Sequence, residues 1–394
     1  MAKKGLLERL AQGPVICAEG YLFELERRGY LQAGAYVPEV VLDFPEQVEN
    51  LHRDFLRAGS DVIEAFTYYA HREKLRLIGR EGDLEPMNRQ ALAIAKKVAA
   101  EGDALVAGNI CNTNVYKPGD AEAERQVRAM YEEQVAWAME VGVDFIIAET
   151  ISWLGEAEIA LDVIRQTKLP SVVTFALHKK GEMRDGFSPA EAAKRIEALG
   201  ADVVGLNCIR GIRTMMPHVD AIRRAVKIHV AALPVPYRTS EAEPTFESLT
   251  EKDAQCAHCI PDGRSFPVAL DPFQVTRYEI AEFGRNAAAM DVRYLGVCCG
   301  AGPHHIRALA EALGRRPPAS RFSPDMSKHY AYGNDARLRQ ENREYAKNLW
   351  TPSPRLWGEG WGEEPGGVCA AGPSPRSPSA SRPLPAGGEA LRGS

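Results

Sequence analysis

A closed (β/α)8 TIM barrel of the α/β class is the fold the sequence predicts, and three observations carry that expectation. First, short apolar runs recur at Val15–Glu19, Asp61–Phe66, Ala104–Asn109, Asp144–Glu149, Ser171–Ala176, Asp202–Asn207, His229–Pro234 and Arg293–Cys298. Their apolarity is continuous rather than alternating, which fits strands buried on both faces of a parallel sheet. Second, helical segments lie between them, among them Pro45–Arg57, Met87–Ala100, Glu122–Glu140 and Pro189–Leu199. Third, one junction repeats: Gly59-Ser-Asp61, Gly142-Val-Asp144 and Gly200-Ala-Asp202 place G-x-D directly before a strand, and Gly102-Asp103 is a shorter version. A glycine just past a helix end takes the left-handed capping conformation, and the strand starts at once. Eight such units favour a barrel over an open doubly wound sheet, and no G-x-G-x-x-G follows the first strand.

Composition divides the chain of 394 residues into three parts. The barrel is expected over residues 1–317. An arm over 318–350 carries an amphipathic stretch, Ala336–Leu349, suited to assembly with another copy. In residues 351–394, 17 of 44 positions are Pro or Gly, so this tail reads as a disordered low-complexity segment without chemistry. The net charge of −5 argues against nucleic acid or an acidic membrane as the main partner. No apolar run approaches the roughly 18 residues of a membrane span, and the first residues lack the apolar core of a signal peptide. A cytoplasmic location is therefore expected, where eight cysteines serve as reduced thiols, metal ligands or catalytic groups.

Reactive side chains gather at the C-terminal ends of the expected strands: Glu19, Tyr68 and Tyr69, Asn109, Glu149, Cys208, and Cys298 with Cys299. In a barrel these ends share one mouth, where active sites sit. Cys208 alone reads as a small buried hydrophobe. The adjacent pair is different, because neighbouring strand residues face opposite sides and both seldom suit one core. Three thiolates at the rim would suit Zn2+, leaving its fourth tetrahedral position to a substrate. Such a site is net negative and acidifies water less than a histidine-rich one, and H-E-x-x-H is absent, so hydrolysis is disfavoured. A substrate thiol, with a pKa of about 8.5, is readily held there as thiolate and stays nucleophilic toward carbon. The residues thus point to alkyl transfer onto a thiol.

Gly205-Leu-Asn-Cys208 and Gly296-Val-Cys-Cys-Gly300, the latter followed by Pro303-His-His-Ile306, resemble the zinc motifs of the homocysteine S-methyltransferases. The likeness is closer to the betaine-dependent branch, through Lys3-Lys-Gly-Leu-Leu-Glu-Arg-Leu10, Leu51-His-Arg-Asp-Phe-Leu-Arg-Ala-Gly59, Phe66-Thr-Tyr-Tyr-Ala70 and Glu101-Gly-Asp-Ala-Leu-Val-Ala-Gly108. It runs from about residue 3 to about residue 349. The resemblance implies zinc on Cys208, Cys298 and Cys299, homocysteine as acceptor, and a methylated onium donor. Glu149 takes the role of the carboxylate that holds the acceptor's amino group. Tyr69 takes that of a donor-pocket tyrosine beside Tyr68, and Tyr36 stands where the betaine branch has tryptophan.

The sequence also departs from the family pattern. The first-strand motif Asp-Gly-Gly becomes Ala18-Glu19-Gly20, so either Glu19 supplies a displaced carboxylate or the acceptor is held differently. Thr150 replaces a tyrosine after Glu149, and Asp271 replaces a glutamate of the donor region. The arm implies a homo-oligomer, dimer or tetramer, with the altered downstream segment favouring the dimer. The donor reads as glycine betaine, with S-methylmethionine or dimethylsulfoniopropionate as alternatives. A zinc hydrolase and a noncatalytic homocysteine-binding partner subunit are the readings from other classes. Cys256-Ala-His-Cys259 reads as a reduced surface pair more than as half of a structural zinc site, and His305 as a helix cap.

Overall fold

A computed structural model of the chain describes residues 3–251 and 264–349. Eight parallel strands close on themselves in sequential order: β1 Val15–Ala18, β2 Val62–Glu64, β3 Leu105–Cys111, β4 Phe145–Ile151, β5 Ser171–Phe175, β6 Val203–Gly211, β7 His229–Val235 and β8 Tyr294–Val297. A helix lies on each crossover, and Val15 of β1 registers against Tyr294 of β8 to shut the barrel. The sequence-predicted fold is the one found. The bounds differ where the site lies: β2 ends early, at Glu64, while β4 and β6 run on past Glu149 and Cys208.

Two cores result from the alternation of side chains along each strand. Outward residues pack against the ring of helices. Inward residues, including Val15, Cys17, Val62, Leu105, Phe145, Ile147 and Tyr294, fill the interior. Leu6 and Leu10, one turn apart on the helix Leu6–Gln12, plug the lower end of that interior.

The G-x-D repeat has a structural role. Gly59, Gly142 and Gly200 adopt φ of 110°, 77° and 92°, the left-handed region that ends the preceding helix; Gly102 does not. Each aspartate then accepts a hydrogen bond from the backbone of the neighbouring odd-numbered strand. Asp61 takes Ile16 N–H at 2.7 Å, Asp144 takes Val106 N–H at 2.7 Å, and Asp202 takes Ser171 N–H at 2.9 Å. Before β8 the same places are held by Asp291, at φ 57°, and by Arg293, whose guanidinium donates to Leu10 and Ala11 carbonyls. The repeat therefore sets strand register at the bottom and leaves the top free for chemistry.

The chain divides into two compact units after Ser323. In the second, a helix over Gln340–Leu349 occupies most of the stretch predicted as amphipathic. Among the described residues no helix is long and apolar enough to cross a membrane. Cys256, Cys259 and the tail 351–394 lie outside the described residues.

Asp202→Ala removes acceptors for both Ser171 N–H and Ser171 Oγ–H, the latter at 3.1 Å. It should lower unfolding stability by about 1–3 kcal/mol, read from the urea midpoint, because a buried N–H at a strand start is left unpaired. An unchanged midpoint would remove the register role given to this aspartate.

Candidate active site at the barrel mouth

In a regular strand neighbouring residues face opposite sides, so one strand end offers the mouth one side chain at a time. β4 and β6 evade this limit by the same local device. Thr150 has φ 57°, and Cys208 and Ile209 have φ 56° and 60°, all left-handed and all non-glycine. The pairing registers shift at these points, between Ala148 and Ile151 and between Asn207 and Gly211. Such bulges re-aim side chains next to functional sites. Here Glu149 with Thr150, and Asn207 with Cys208, both turn into the site from consecutive positions.

Cys298 and Cys299 follow β8 directly, with sulfurs 3.9 Å apart, and the sulfurs of all three cysteines lie within 4.8 Å of one another. Gly20 permits this arrangement: a Cβ there would sit 2.2 Å from the Ala301 carbonyl oxygen, so only glycine lets the end of β1 approach the thiol loop. Cys208 accepts from the other two thiols, which lowers its pKa, while burial pushes Cys298 up and the Cys208 contact pushes Cys299 up. The cluster can hold a metal ion.

Below the thiols lies a floor of carboxylates bridged by amides. Asn207, fully buried, donates to Glu149 at 2.6 Å, to Thr150 Oγ1 at 2.9 Å and to Glu19 at 3.3 Å, while its carbonyl accepts Thr150 N–H at 2.9 Å. Asn109 donates to Glu149 at 2.6 Å and to Glu64. Thr150 Oγ1–H adds a bond to Glu149 at 3.1 Å, and Cys17 Sγ stands 3.6 Å from Glu64. Burial raises the pKa of all three carboxyls, that of Glu149 to about 7; Glu149 and Glu64 raise Glu19 further, and Glu149 raises Glu64. Glu19 Oε1 and Asn109 Oδ1 are buried without a partner among the described residues.

Glu19, Glu64, Asn109, Glu149, Thr150 and the three cysteines line a cavity together with Tyr21, Leu22, Ala65, Phe66 and Tyr68. No basic side chain is among its described lining residues. A second cavity shares Tyr68 and Thr150 with the first and is lined further by Tyr69 and Trp153.

The aromatic positions separate. Tyr68 borders both cavities and packs against Tyr69 with ring centroids 4.2 Å apart. Tyr69, at φ 63°, has the Lys74 ammonium 3.9 Å from its ring centre, so one face is already occupied by a cation. Tyr36, at φ 56°, stacks on Phe23 at 5.7 Å and lines neither cavity. Asp271 likewise lines neither and pairs with Arg27 at 3.0 Å. His305 Nδ1 accepts Gly302 N–H at 3.2 Å, a helix cap.

Sequence reasoning assigned no role to Glu64 or Asn207. Each is a polar residue inside an otherwise apolar run, which was a readable signal. Placing the end of β2 at Phe66 concealed Glu64, the true last residue of that strand.

The profile of the family described as homocysteine S-methyltransferase matches residues 18–313. The chain is 37% identical over 344 residues to betaine–homocysteine S-methyltransferase 1 of Xenopus tropicalis, an alignment covering 84% of this chain and 81% of that one. It is 34% identical over 368 residues to an S-methylmethionine–homocysteine S-methyltransferase of Pongo abelii, covering 90% and 95%. Among solved structures, the metallated homocysteine methyltransferase MmuM of Escherichia coli shares the fold, with TM-score 0.59 and 18% identity over 76% of this chain and 97% of that one.

Replacing Cys208, Cys298 or Cys299 singly by Ser should reduce metal bound to the purified chain to well below one equivalent, because a two-thiolate remnant holds zinc-like ions far more weakly. Elemental analysis after gel filtration reads this out. Full occupancy in any one variant would remove that cysteine from the ligand set.

Proposed function

This chain belongs to the homocysteine S-methyltransferase family, and from that premise we propose that it transfers a methyl group from a methylated onium compound, of the betaine or sulfonium type, to homocysteine on zinc, giving methionine. The observation that carries this reading is the charge of the inner cavity. Three carboxyls and three thiols line it, and no basic side chain does among the described residues. A buried set of that kind is stable when cations arrive with the ligands. A metal ion and an amino-acid ammonium are the two cations that a thiol-bearing amino acid would bring together here.

The donor set suits zinc. Zn–S bonds of about 2.3 Å in a tetrahedron put sulfurs about 3.8 Å apart, and Cys298 and Cys299 stand at 3.9 Å. Bound there, zinc would supply a Lewis acid that keeps the acceptor sulfur as thiolate near neutral pH. Glu149 and Glu19 would take the acceptor ammonium, the unpartnered Glu19 Oε1 gaining its missing hydrogen bond. Asn207 and Asn109 hold the Glu149 carboxylate in one orientation, so the acceptor is met by a prearranged group.

The transfer itself asks for little proton chemistry. The acceptor thiol releases its proton to solvent on binding, and its sulfur then attacks the methyl carbon in line. The new S–C bond forms as the bond to nitrogen or sulfur of the donor breaks, and the electron pair leaves with a neutral amine or sulfide. Opposite charges cancel on the way to the transition state, so the apolar wall of Leu22, Ala65 and Phe66 helps by excluding water. The same reduced thiols fit a cytoplasmic setting.

Incubating the zinc-loaded chain with homocysteine and glycine betaine, dimethylsulfoniopropionate or S-methylmethionine should yield methionine with at least one donor. No methionine from any of the three would contradict the reading. Glu149→Gln should retain zinc and raise the Michaelis constant for homocysteine about tenfold or more, since a charge-assisted contact to the ammonium is lost. An unchanged constant would reassign Glu149 to a structural role.

A further inference from the structure

Resting on the methyl-transfer reading, we propose that Arg184, on the wall of the outer cavity, is the residue that binds the carboxylate end of the onium donor. Two basic side chains line that cavity among the described residues, His178 and Arg184. His178 is engaged, with Ser152 at 3.1 Å and Glu247 at 3.3 Å. Arg184 pairs with no carboxylate among the described residues, and its guanidinium lies over the Trp153 ring at 5.0 Å. Stacking leaves the in-plane N–H groups of a guanidinium free for a bidentate carboxylate, the geometry for which arginine is suited.

The loop that carries Arg184 is fastened on both sides. Arg184 N–H donates to the Ser152 carbonyl at 2.8 Å. The next residue, Asp185, accepts the Leu154 and Gly155 N–H groups at 3.2 and 3.3 Å, capping the start of the helix Leu154–Gln166. The guanidinium is thus presented beside Trp153 by backbone and cap contacts.

Charge then orients the donor. The inner cavity is acidic and meets the outer one at Tyr68 and Thr150; of the outer cavity's two carboxylates, Glu156 is held by Thr113 and Glu247 stands against His178, which leaves Arg184 as the cation open to a ligand there. A zwitterion placed across this field points its methylated cation toward the thiols and its carboxylate toward Arg184. Thr150 matters as a short side chain at the junction, and Tyr68 offers a ring there. Lys74 already covers part of Tyr69, which makes Tyr68 the better surface for an incoming cation.

Calorimetric titration of the zinc-loaded full chain tests this, with methionine present to fill the acceptor pocket as a dead-end complex. Glycine betaine and dimethylsulfoniopropionate are the carboxylate probes, and choline is the probe without one. Arg184→Met should weaken both carboxylate probes about tenfold or more and leave choline unchanged, with Arg184→Lys intermediate. Equal effects on all three, no effect on the carboxylate probes, or failure of both to bind the wild-type chain would overturn the proposal. Methionine formation is scored separately: probes that bind through Arg184 in a chain that makes no methionine would leave the donor-like site standing and sink the methyl-transfer reading.

Discussion

The side-chain amide of Asn207 is the contact on which the site depends. It bonds groups from β4 and from the end of β1 while belonging to β6, and it does so with no solvent to replace any lost bond. Through Glu149 and Asn109 the same network reaches Glu64 at the end of β2. Five strand ends around the barrel, those of β1, β2, β3, β4 and β6, are thereby locked in one arrangement. The next residue after Asn207 is Cys208, so the left-handed turn that delivers the thiol to the rim also fixes the amide that organises the floor. Strain of this kind, on the order of 1–3 kcal/mol per residue, persists where the surroundings over-determine it, and the closed barrel supplies that surrounding.

Electrostatics set the next level. Desolvation makes three carboxyls side by side unfavourable unless protonated or matched by cations. Among the described residues no arginine or lysine lines the cavity to match them, although ion pairs are frequent elsewhere. The negative charge is instead left open to ligands. The outer cavity differs in holding cations as well as carboxylates, with Arg184 and His178 on its wall beside Glu156 and Glu247. The polarity between the two cavities gives a direction along which a zwitterionic donor and an ammonium-bearing acceptor bring opposite ends together.

Much of this was legible in the sequence because barrels repeat. The buried runs and the G-x-D junctions identify strands, and the structure adds why the aspartates recur: each takes a backbone donor of the neighbouring strand. The bounds at the C-terminal ends were not legible, because positive φ at Thr150, Cys208 and Ile209 leaves no mark in residues that ordinarily avoid it. Reading β4 and β6 as ending at Glu149 and Asn207 still brought Glu149, Thr150 and Cys208 to the mouth, but hid the part that Asn207 plays there. Glu64 was concealed by the reverse error. The aromatic residues illustrate another limit: Tyr36, Tyr68 and Tyr69 look alike as sequence, yet only tertiary packing places Lys74 on one and Phe23 against another.

The central claim is that three cysteine sulfurs hold zinc with its fourth position kept for the acceptor's sulfur. Zinc K-edge X-ray absorption of the purified chain, recorded before and after addition of homocysteine, tests it most directly. The account predicts three sulfurs and one lighter atom at first, then four sulfurs once homocysteine is bound. A metal shell that stays unchanged when homocysteine saturates the protein would contradict it.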